Sequence, residues 1–221
     1  MKKIISFSLW GENPIYNIGA IKNAELAKKI YPGWICRYYL GKSVPLTIIQ
    51  ELKKFDNTEI FVMNEIGDWS GMFWRFYPAS ESDVGIMISR DTDSRLNIRE
   101  KAAVDEWLES NKDFHIMRDH PYHATEILGG MWGVRNQLLS NMRQMIYEYI
   151  KGDFWQVDQN FLKEKVYPLI KENTLIHDEF FEKKPFPHLR ASYEFIGQAF
   201  DEKDIALHPE HMDILKQYIG N

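Results

Sequence analysis

The sequence has little of what several classes of protein require. Cys36 is the only cysteine among 221 residues, so an intrachain disulfide and a cysteine-based zinc site are both excluded. No apolar run approaches the ~20 residues that span a bilayer. Residues 4–10 are too short for a signal peptide and are interrupted by Ser6 and Ser8. We therefore expect a cytoplasmic protein without a membrane span.

An excess of positive charge is also missing. The chain has 27 lysines and arginines against 32 acidic residues, a formal charge of -5, so we expect no electrostatic binding to nucleic acid. A small phosphate-bearing ligand is compatible with this balance, because a metal ion can bridge acidic residues and phosphate. The length predicts a single domain that comprises residues 1–221.

Apolar segments and amphipathic segments alternate through the first half of the chain. The pattern predicts strands at residues 4–10, 34–40, 59–63, 84–89 and 114–117, and helices at 21–30, 45–55, 70–77 and 98–108. Further along it predicts a strand at 129–134, helices at 138–150 and 158–170, a loop-rich tail after 174 and a last helix at 212–219. Such alternation favours an α/β fold, whose ligands bind beyond the carboxyl ends of the strands.

The sharpest motif is Asp91-Thr92-Asp93, which comes directly after the apolar segment 84–89. Two carboxylates one residue apart supply the hard oxygen ligands that Mn²⁺ and Mg²⁺ prefer. An ion held there could join the protein to a diphosphate and neutralise its charge as it leaves. Turns are generally rich in Asp, so the inference depends on the position of the motif at the end of a buried strand.

Aromatic and cationic side chains are expected around this motif. Trp10 and Tyr16 lie in the turn that begins at Leu9, just past the first predicted strand, and we expect one of them to stack on a nucleotide base. Arg75 and Arg90 lie near the motif in sequence. We expect them at the donor, because a guanidinium matches the geometry of phosphate oxygens.

The stretch from Trp69 to Asp93 resembles the donor site of GT-A-fold glycosyltransferases. In those enzymes a short helix carrying an arginine precedes a strand that ends in a metal-binding Asp-x-Asp, and Arg75 stands in that place. The runs 74–91 and 127–133 are most similar to the small glycosyltransferase domain that large algal viruses use on their capsid glycans.

This resemblance implies a Rossmann-type, mixed and mostly parallel sheet flanked by helices. The nucleotide-binding part would comprise about residues 1–95 and the acceptor part about 96–221. The implied reaction is a metal-dependent transfer of a hexosyl or deoxyhexosyl group from a nucleotide-diphosphate sugar, with a UDP-sugar favoured, to a hydroxyl of a glycan. If the chain is viral, the reaction would take place in the host cytoplasm.

The resemblance also implies roles for residues further along the chain. The segment 129–133 matches a glycine-containing acceptor segment, so Gly130, Met131 and Trp132 are expected at the acceptor, with His120 as a polar neighbour. A late histidine often completes the metal shell in such enzymes. His177 is the candidate, and it would join Asp91 and Asp93 around the ion.

The catalytic base has two candidates. Asp158 matches the acidic residue at a helix start and could take the proton from an acceptor hydroxyl, although an N-cap role is compatible with the same position. Asp119 ends a predicted strand and is the rival base, or else binds acceptor hydroxyls. Val157-Asp158-Gln159 departs from the usual Glu-Asp, and Arg90 departs from the small or apolar residue usual before the motif. The first departure leaves inverting and retaining chemistry open, with inversion favoured.

Three other functions fit part of the pattern. A haloacid-dehalogenase-type phosphatase also uses Asp-x-Asp, but it expects Thr or Val where Arg95 stands, and its motif normally follows the first strand. In a glycoside hydrolase two carboxylates flank a sugar bond, for which the adjacent Asp91 and Asp93 are poorly placed. The sequence leaves open a non-catalytic module that binds a nucleotide sugar or a carbohydrate.

Overall fold

The computed structural model describes residues 1–135, 137–149 and 154–220, and within them seven strands form one sheet. The strands are β1 (Lys2–Leu9), β2 (Ile35–Leu40), β3 (Thr58–Val62), β4 (Val84–Ser89), β5 (Phe114–Arg118), β6 (Trp132–Arg135) and β7 (Thr174–Asp178). The α-helices are α1 (Pro14–Ile30), α2 (Leu46–Leu52), α3 (Ile98–Glu109), α4 (Met142–Glu148), α5 (Val157–Phe161), α6 (Tyr167–Ile170) and α7 (Pro209–Ile219). A 3₁₀ helix at Trp69–Ser80 precedes β4, a π-helical turn at Leu162–Val166 follows α5, and a 3₁₀ turn at Lys171–Asn173 precedes β7.

The sheet is mixed and mostly parallel, which confirms the predicted fold class. Its order is β3-β2-β1-β4-β6-β5-β7, and only β6 runs antiparallel to its neighbours β4 and β5. The register pairs Ser89 at the end of β4 with Trp132 at the start of β6. The glycine segment before β6 is therefore brought beside the acidic motif that follows β4.

Both faces of the central strands are buried, which explains their continuous apolar sequence. On one face, alternate residues of β1 such as Ile5 and Phe7 pack with Trp107 from α3. On the other face, Ile4 packs in a cluster with Phe76 of the 3₁₀ helix. Among the described residues, no helix is both long and apolar enough to cross a membrane.

The first helix begins earlier than predicted. It was expected at residue 21, but Pro14 already lies in its first turn, where a missing N–H costs nothing. The Asn13 side chain accepts a hydrogen bond from the Ile15 N–H at 3.0 Å and caps the helix. Asn97 caps α3 in a similar way, because its side chain accepts from the Glu100 N–H at 2.9 Å.

Several predictions in the second half are wrong. The segment predicted as a loop after 174 contains β7, so His177 lies in a strand. Asp158 is not an N-cap, because α5 begins at Val157 and Gln156 precedes it. The helix predicted at 138–150 is observed as the shorter α4, Met142–Glu148. Its predicted end at Ile150 lies outside the described residues.

Candidate active site

A pocket of about 570 Å³ opens where β1 and β4 end. This is the edge of an α/β sheet at which ligands usually bind. It is lined by predicted site residues from five parts of the chain: Leu9, Trp10, Tyr16, Arg75, Asp91, Asp93, Gly130, Met131 and Asp158. The fold therefore brings most of the expected site together.

The loop that carries Asp91-Thr92-Asp93 is hydrogen-bonded to helix α1. The Asn23 side-chain amide donates to the carbonyls of Thr92 at 3.3 Å and Ser94 at 2.8 Å. Gly19 allows this close approach, since a Cβ there would lie 2.1 Å from the Thr92 carbonyl oxygen. The backbone of the motif is thus fixed before any ligand binds.

A second set of contacts holds the same loop from the side. The Arg95 guanidinium donates to the carbonyls of Asp93 at 3.2 Å and Ser94 at 2.9 Å, and its Nε lies 2.8 Å from Asp204. The Phe200 N–H donates to the Asp93 carbonyl at 2.8 Å. The C-terminal tail, residues 179–208, is therefore attached to the loop.

Arg75 bridges two carboxylates that are far apart in sequence. Its guanidinium pairs with Asp91 through Nη1 and with Asp158 Oδ2 through Nη2, the second at 2.6 Å. Arg75 and Asp158 are both buried. Burial alone would lower the pKa of Arg75, but the two carboxylates outweigh it and raise that pKa. The second oxygen of Asp158 accepts from the Gln159 N–H at 2.9 Å.

Asp93 carries negative charge without such a bridge. Burial and the neighbouring Asp91 raise the pKa of Asp93 to about 6. In the described part of the chain, Arg75 and Arg95 act on it only through space, without an ion pair. Asp93, which has no ion pair, and Asp91, which Arg75 neutralises only in part, together form a donor set that fits Mn²⁺ or Mg²⁺.

Two glycines leave room for these charged groups. A Cβ on Gly130 would lie 1.9 Å from Asp91 Oδ2, and one on Gly129 would lie 2.3 Å from Arg75 Nη2. Any larger residue would displace the ion pairs. The glycine segment was expected at the acceptor, and the structure shows that two of its members adjoin the paired charges.

Two of the expected ligand-binding residues point elsewhere. Arg90 is only 1% exposed; its Nε lies 2.8 Å from Glu100 of α3, which draws the guanidinium away from the pocket. Trp132 is also buried, and its ring packs 5.5 Å from that of Phe76 in the core. Neither lines the pocket.

His177 does not join the aspartates. Its strand β7 is three positions from β4 in the sheet, a separation of about 14 Å at the usual strand spacing. Its Nδ1 lies 2.8 Å from His115 Nε2, and its Nε2 lies 3.2 Å from Glu106. Its sequence position gave no sign of these partners.

Asp119 and His120 are also outside the pocket. Asp119 is fully buried and pairs with Arg190 of the tail at 2.5 Å and with Arg99 at 3.0 Å. Burial raises the pKa of Asp119, although both arginines oppose this. His120 Nε2 lies 2.9 Å from the His211 carbonyl oxygen on α7. Both side chains therefore hold C-terminal segments in place.

The structure adds residues that the sequence did not single out. Glu12, Trp69, Trp155 and Gly197 also line the pocket. Trp155 stands three residues before Asp158, and this closeness to a predicted site residue could have indicated that Trp155 also lies at the pocket. Gly197 belongs to the tail, which reaches the pocket only through long-range contacts.

No protein-family model matches this sequence, and no curated protein sequence matches it either. Solved structures do resemble it. One is a glycosyltransferase involved in the glycosylation of the major capsid of PBCV-1, with 16% identity and a TM-score of 0.56, covering 96% of this chain and 100% of that one. Another is a galactosyltransferase in complex with donor and acceptor sugar analogues, with 11% identity and a TM-score of 0.54, covering 81% of this chain and 74% of that one.

A third is the 4-diphosphocytidyl-2C-methyl-D-erythritol synthase from Anaerococcus prevotii, with 8% identity and a TM-score of 0.54, covering 100% of this chain and 96% of that one. The chain has the fold of these enzymes. This confirms the predicted GT-A-like architecture. At such identities the likeness establishes the fold, and the chemistry has to be argued from the pocket.

Proposed function

We propose that this chain is a metal-dependent glycosyltransferase that moves a sugar from a nucleotide-diphosphate donor, with a UDP-sugar favoured, to a hydroxyl of a glycan. The charge of the pocket carries the proposal. Its carboxylates are those of Glu12, Asp91, Asp93 and Asp158. Among the described lining residues, Arg75 is the only lysine or arginine, and it is already paired twice. An anionic diphosphate would need a divalent cation to bind here.

Asp91 and Asp93 are the residues that would hold this cation. When bound, Mn²⁺ or Mg²⁺ would supply charge neutralisation for the departing diphosphate. The chain itself supplies a fixed loop, because the backbone carbonyls of the motif are hydrogen-bonded to Asn23 and Arg95. The two carboxylates are therefore arranged in advance, which reduces the cost of ordering them on binding.

The donor and acceptor are assigned to different walls of the pocket. Trp10, just past β1, and the exposed ring of Tyr16, in the first turn of α1, form the wall proposed for the nucleotide base. The predicted turn at 9–16 is thus shorter, because α1 begins at Pro14. Asp158 stands on α5, across the Arg75 bridge from Asp91. Asp158 pairs with Arg75 through one oxygen and accepts the Gln159 N–H with the other, and a carboxylate has about four acceptor positions. Asp158 thus retains capacity to accept the proton of an acceptor hydroxyl.

Nucleotidyl transfer is also found on this fold, as the erythritol synthase shows. Nucleotidyl transfer uses a nucleoside triphosphate, which carries more negative charge than a nucleotide-diphosphate sugar. With Arg75 as the only described lysine or arginine in its lining, the pocket is less suited to it. Glycosyl transfer therefore fits the charge balance better.

The test uses UDP and Mn²⁺. Calorimetry of the intact chain should show UDP binding in Mn²⁺ that is lost in EDTA, and incubation with UDP-sugars should release free UDP in Mn²⁺. Equal UDP affinity with and without metal, or no UDP affinity at all, would contradict the proposal. Binding without any release of UDP would leave a nucleotide-sugar-binding module.

A further inference from the structure

The rim of the pocket carries indole rings that the fold leaves in contact with solvent. Trp155 is 65% exposed and Trp69 is 40% exposed, and both line the pocket. Burying a large aromatic ring is favourable, so an open ring beside a pocket indicates a surface that a ligand covers.

Trp155 lies directly before the polar end of α5. A hydrogen bond of 3.3 Å from the Val157 N–H to the Phe154 carbonyl fixes the turn around Trp155. Asp158 and Gln159 follow in the first turn of the helix and also line the pocket. A ligand in this corner therefore meets a flat apolar ring and, a few residues on, a carboxylate and a carboxamide.

A pyranose ring has matching properties. One of its faces presents C–H groups, which pack on an indole, while hydroxyls at its edge bond to carboxylate and amide groups. The wall proposed for the nucleobase is separate, at Trp10 after β1 and Tyr16 in the first turn of α1. The Arg75 bridge from Asp91 to Asp158 lies between the expected metal site and α5. Trp155 comes three residues before Asp158 and so belongs to the segment at the Asp158 end of the bridge, whereas the expected metal site is at the Asp91 end.

We propose that Trp155 is the platform of an acceptor subsite, on which a pyranose ring packs while its hydroxyls bond to Asp158 and Gln159. This assignment of the sugar as acceptor rests on the proposed glycosyl transfer. It names the acceptor class as a glycan with an accessible pyranose. Trp155 then determines acceptor affinity and has no part in binding the donor.

The test is saturation-transfer NMR on the intact chain in UDP and Mn²⁺, with methyl pyranosides of the common hexoses, deoxyhexoses and pentoses as probes. At least one pyranoside should receive saturation on its ring protons. Trp155→Ala should weaken that binding about tenfold and leave UDP affinity unchanged, while Trp155→Phe should retain most of it. Phe154→Ala is the matched control, because Phe154 is a neighbouring aromatic, 45% exposed, that does not line the pocket.

The outcomes distinguish failure of the Trp155 subsite from failure of the proposed glycosyl transfer. Equal pyranoside affinity in Trp155→Ala and the wild type would overturn the platform, as would a parallel fall in UDP affinity. UDP binding without binding of any pyranoside would overturn the platform and leave glycosyl transfer standing. Pyranoside binding that depends on Trp155, in a protein that does not bind UDP, would keep the sugar subsite and overturn the transfer.

Discussion

Arg75 sets the arrangement of charge in the pocket at the scale of single residues. It neutralises part of the charge on Asp91 and Asp158 and draws the two carboxylates towards one another. Buried pairs of this kind are costly to break, because the remaining partner is left charged and without compensation. Substitutions here therefore change stability and chemistry together, and a control has to separate the two.

Asp158→Asn tests the base. We expect transfer to fall by about 10²–10⁴-fold, the usual worth of general-base catalysis, with metal-dependent UDP affinity retained because Asp91 and Asp93 are untouched. As an N-cap, Asp158 could be replaced by Asn at little cost. Its ion pair with Arg75 instead predicts a loss of about 3 kcal/mol in the free energy of unfolding. Steady-state kinetics and urea unfolding measure the two effects.

Asp178→Asn is the matched control for this variant. Asp178 is fully buried and pairs with Arg118 at 2.9 Å, outside the pocket. It should lose comparable stability and keep its transfer rate below the unfolding temperature. If both variants lose activity equally, Asp158 acts only through the fold. If Asp158→Asn is fully active, it is not the base.

Asp93→Asn should have opposite effects on binding and on stability. It removes an expected metal ligand, so Mn²⁺-dependent UDP binding should disappear in calorimetry. Because burial and Asp91 raise the pKa of Asp93, its ionised form is disfavoured in the folded protein. In EDTA at pH 8 the variant should therefore be more stable, by on the order of 1–2 kcal/mol.

Asp105→Asn makes the same change in net charge on an exposed part of α3, where Asp105 pairs with Lys101. It should bind UDP normally and gain no stability. A stability gain in both variants would point to overall charge, and retained metal-dependent binding in Asp93→Asn would contradict the metal site.

Sequence reasoning located those site candidates whose position follows from a local signal. Asp91 and Asp93 follow a buried strand, and Trp10 follows another, so each was expected at the sheet edge where the pocket lies. It failed for Arg90 and His177. Their orientation is decided by Glu100 and His115, partners that strand and helix patterns do not reveal.

At the scale of elements, the tail is attached to the loop of Asp91 and Asp93 both by the Phe200 N–H and through the side chain of Arg95. Arg95 holds the carbonyls of Asp93 and Ser94 while its Nε pairs with Asp204. Groups that orient metal ligands typically affect metal affinity by about 10–100-fold when they are removed. Arg95→Met should weaken Mn²⁺ binding by about tenfold, as measured by calorimetry in the presence of UDP.

Lys22→Met provides the comparison, because Lys22 pairs with the same Asp204 at 2.6 Å and makes no bond to the loop. It should leave Mn²⁺ affinity unchanged. Equal losses in the two variants would show that attachment of the tail, and not the bonds to the carbonyls, decides the affinity.

How well an element was predicted depends on how deeply it is buried. β4 was predicted with its observed bounds, because it is a central strand and reads as a continuous apolar run. β7 was missed, since it is a short strand of mixed polarity at the edge of the sheet, where β5 is its neighbour. The helix predicted from 158 is interrupted by a π-helical turn, for which the amphipathic pattern gives no signal.

At the scale of the whole molecule, the sheet encloses a histidine pair whose charge state affects folding. His115 is fully buried, stacks on Trp107 with ring centroids 5.4 Å apart, and lies 2.8 Å from His177. Burial, His177 and Arg90 all lower the pKa of His115 well below its ordinary value. The folded protein therefore keeps this ring neutral under mildly acidic conditions.

The free energy of unfolding should consequently decrease as the pH is lowered below the ordinary pKa of histidine. Above pH 6.5, the ordinary pKa of the ring, neither state is protonated and the contribution is fully present. Below it the unfolded chain takes up a proton that the folded protein excludes, so the free energy of unfolding should drop by about 1.4 kcal/mol per pH unit for this residue. His115→Gln keeps a polar group at this position without titrating, and its slope between pH 6 and 5 should be shallower by that amount. Urea unfolding at pH 7, 6 and 5 measures both slopes, and parallel curves would show that another group controls the acid sensitivity.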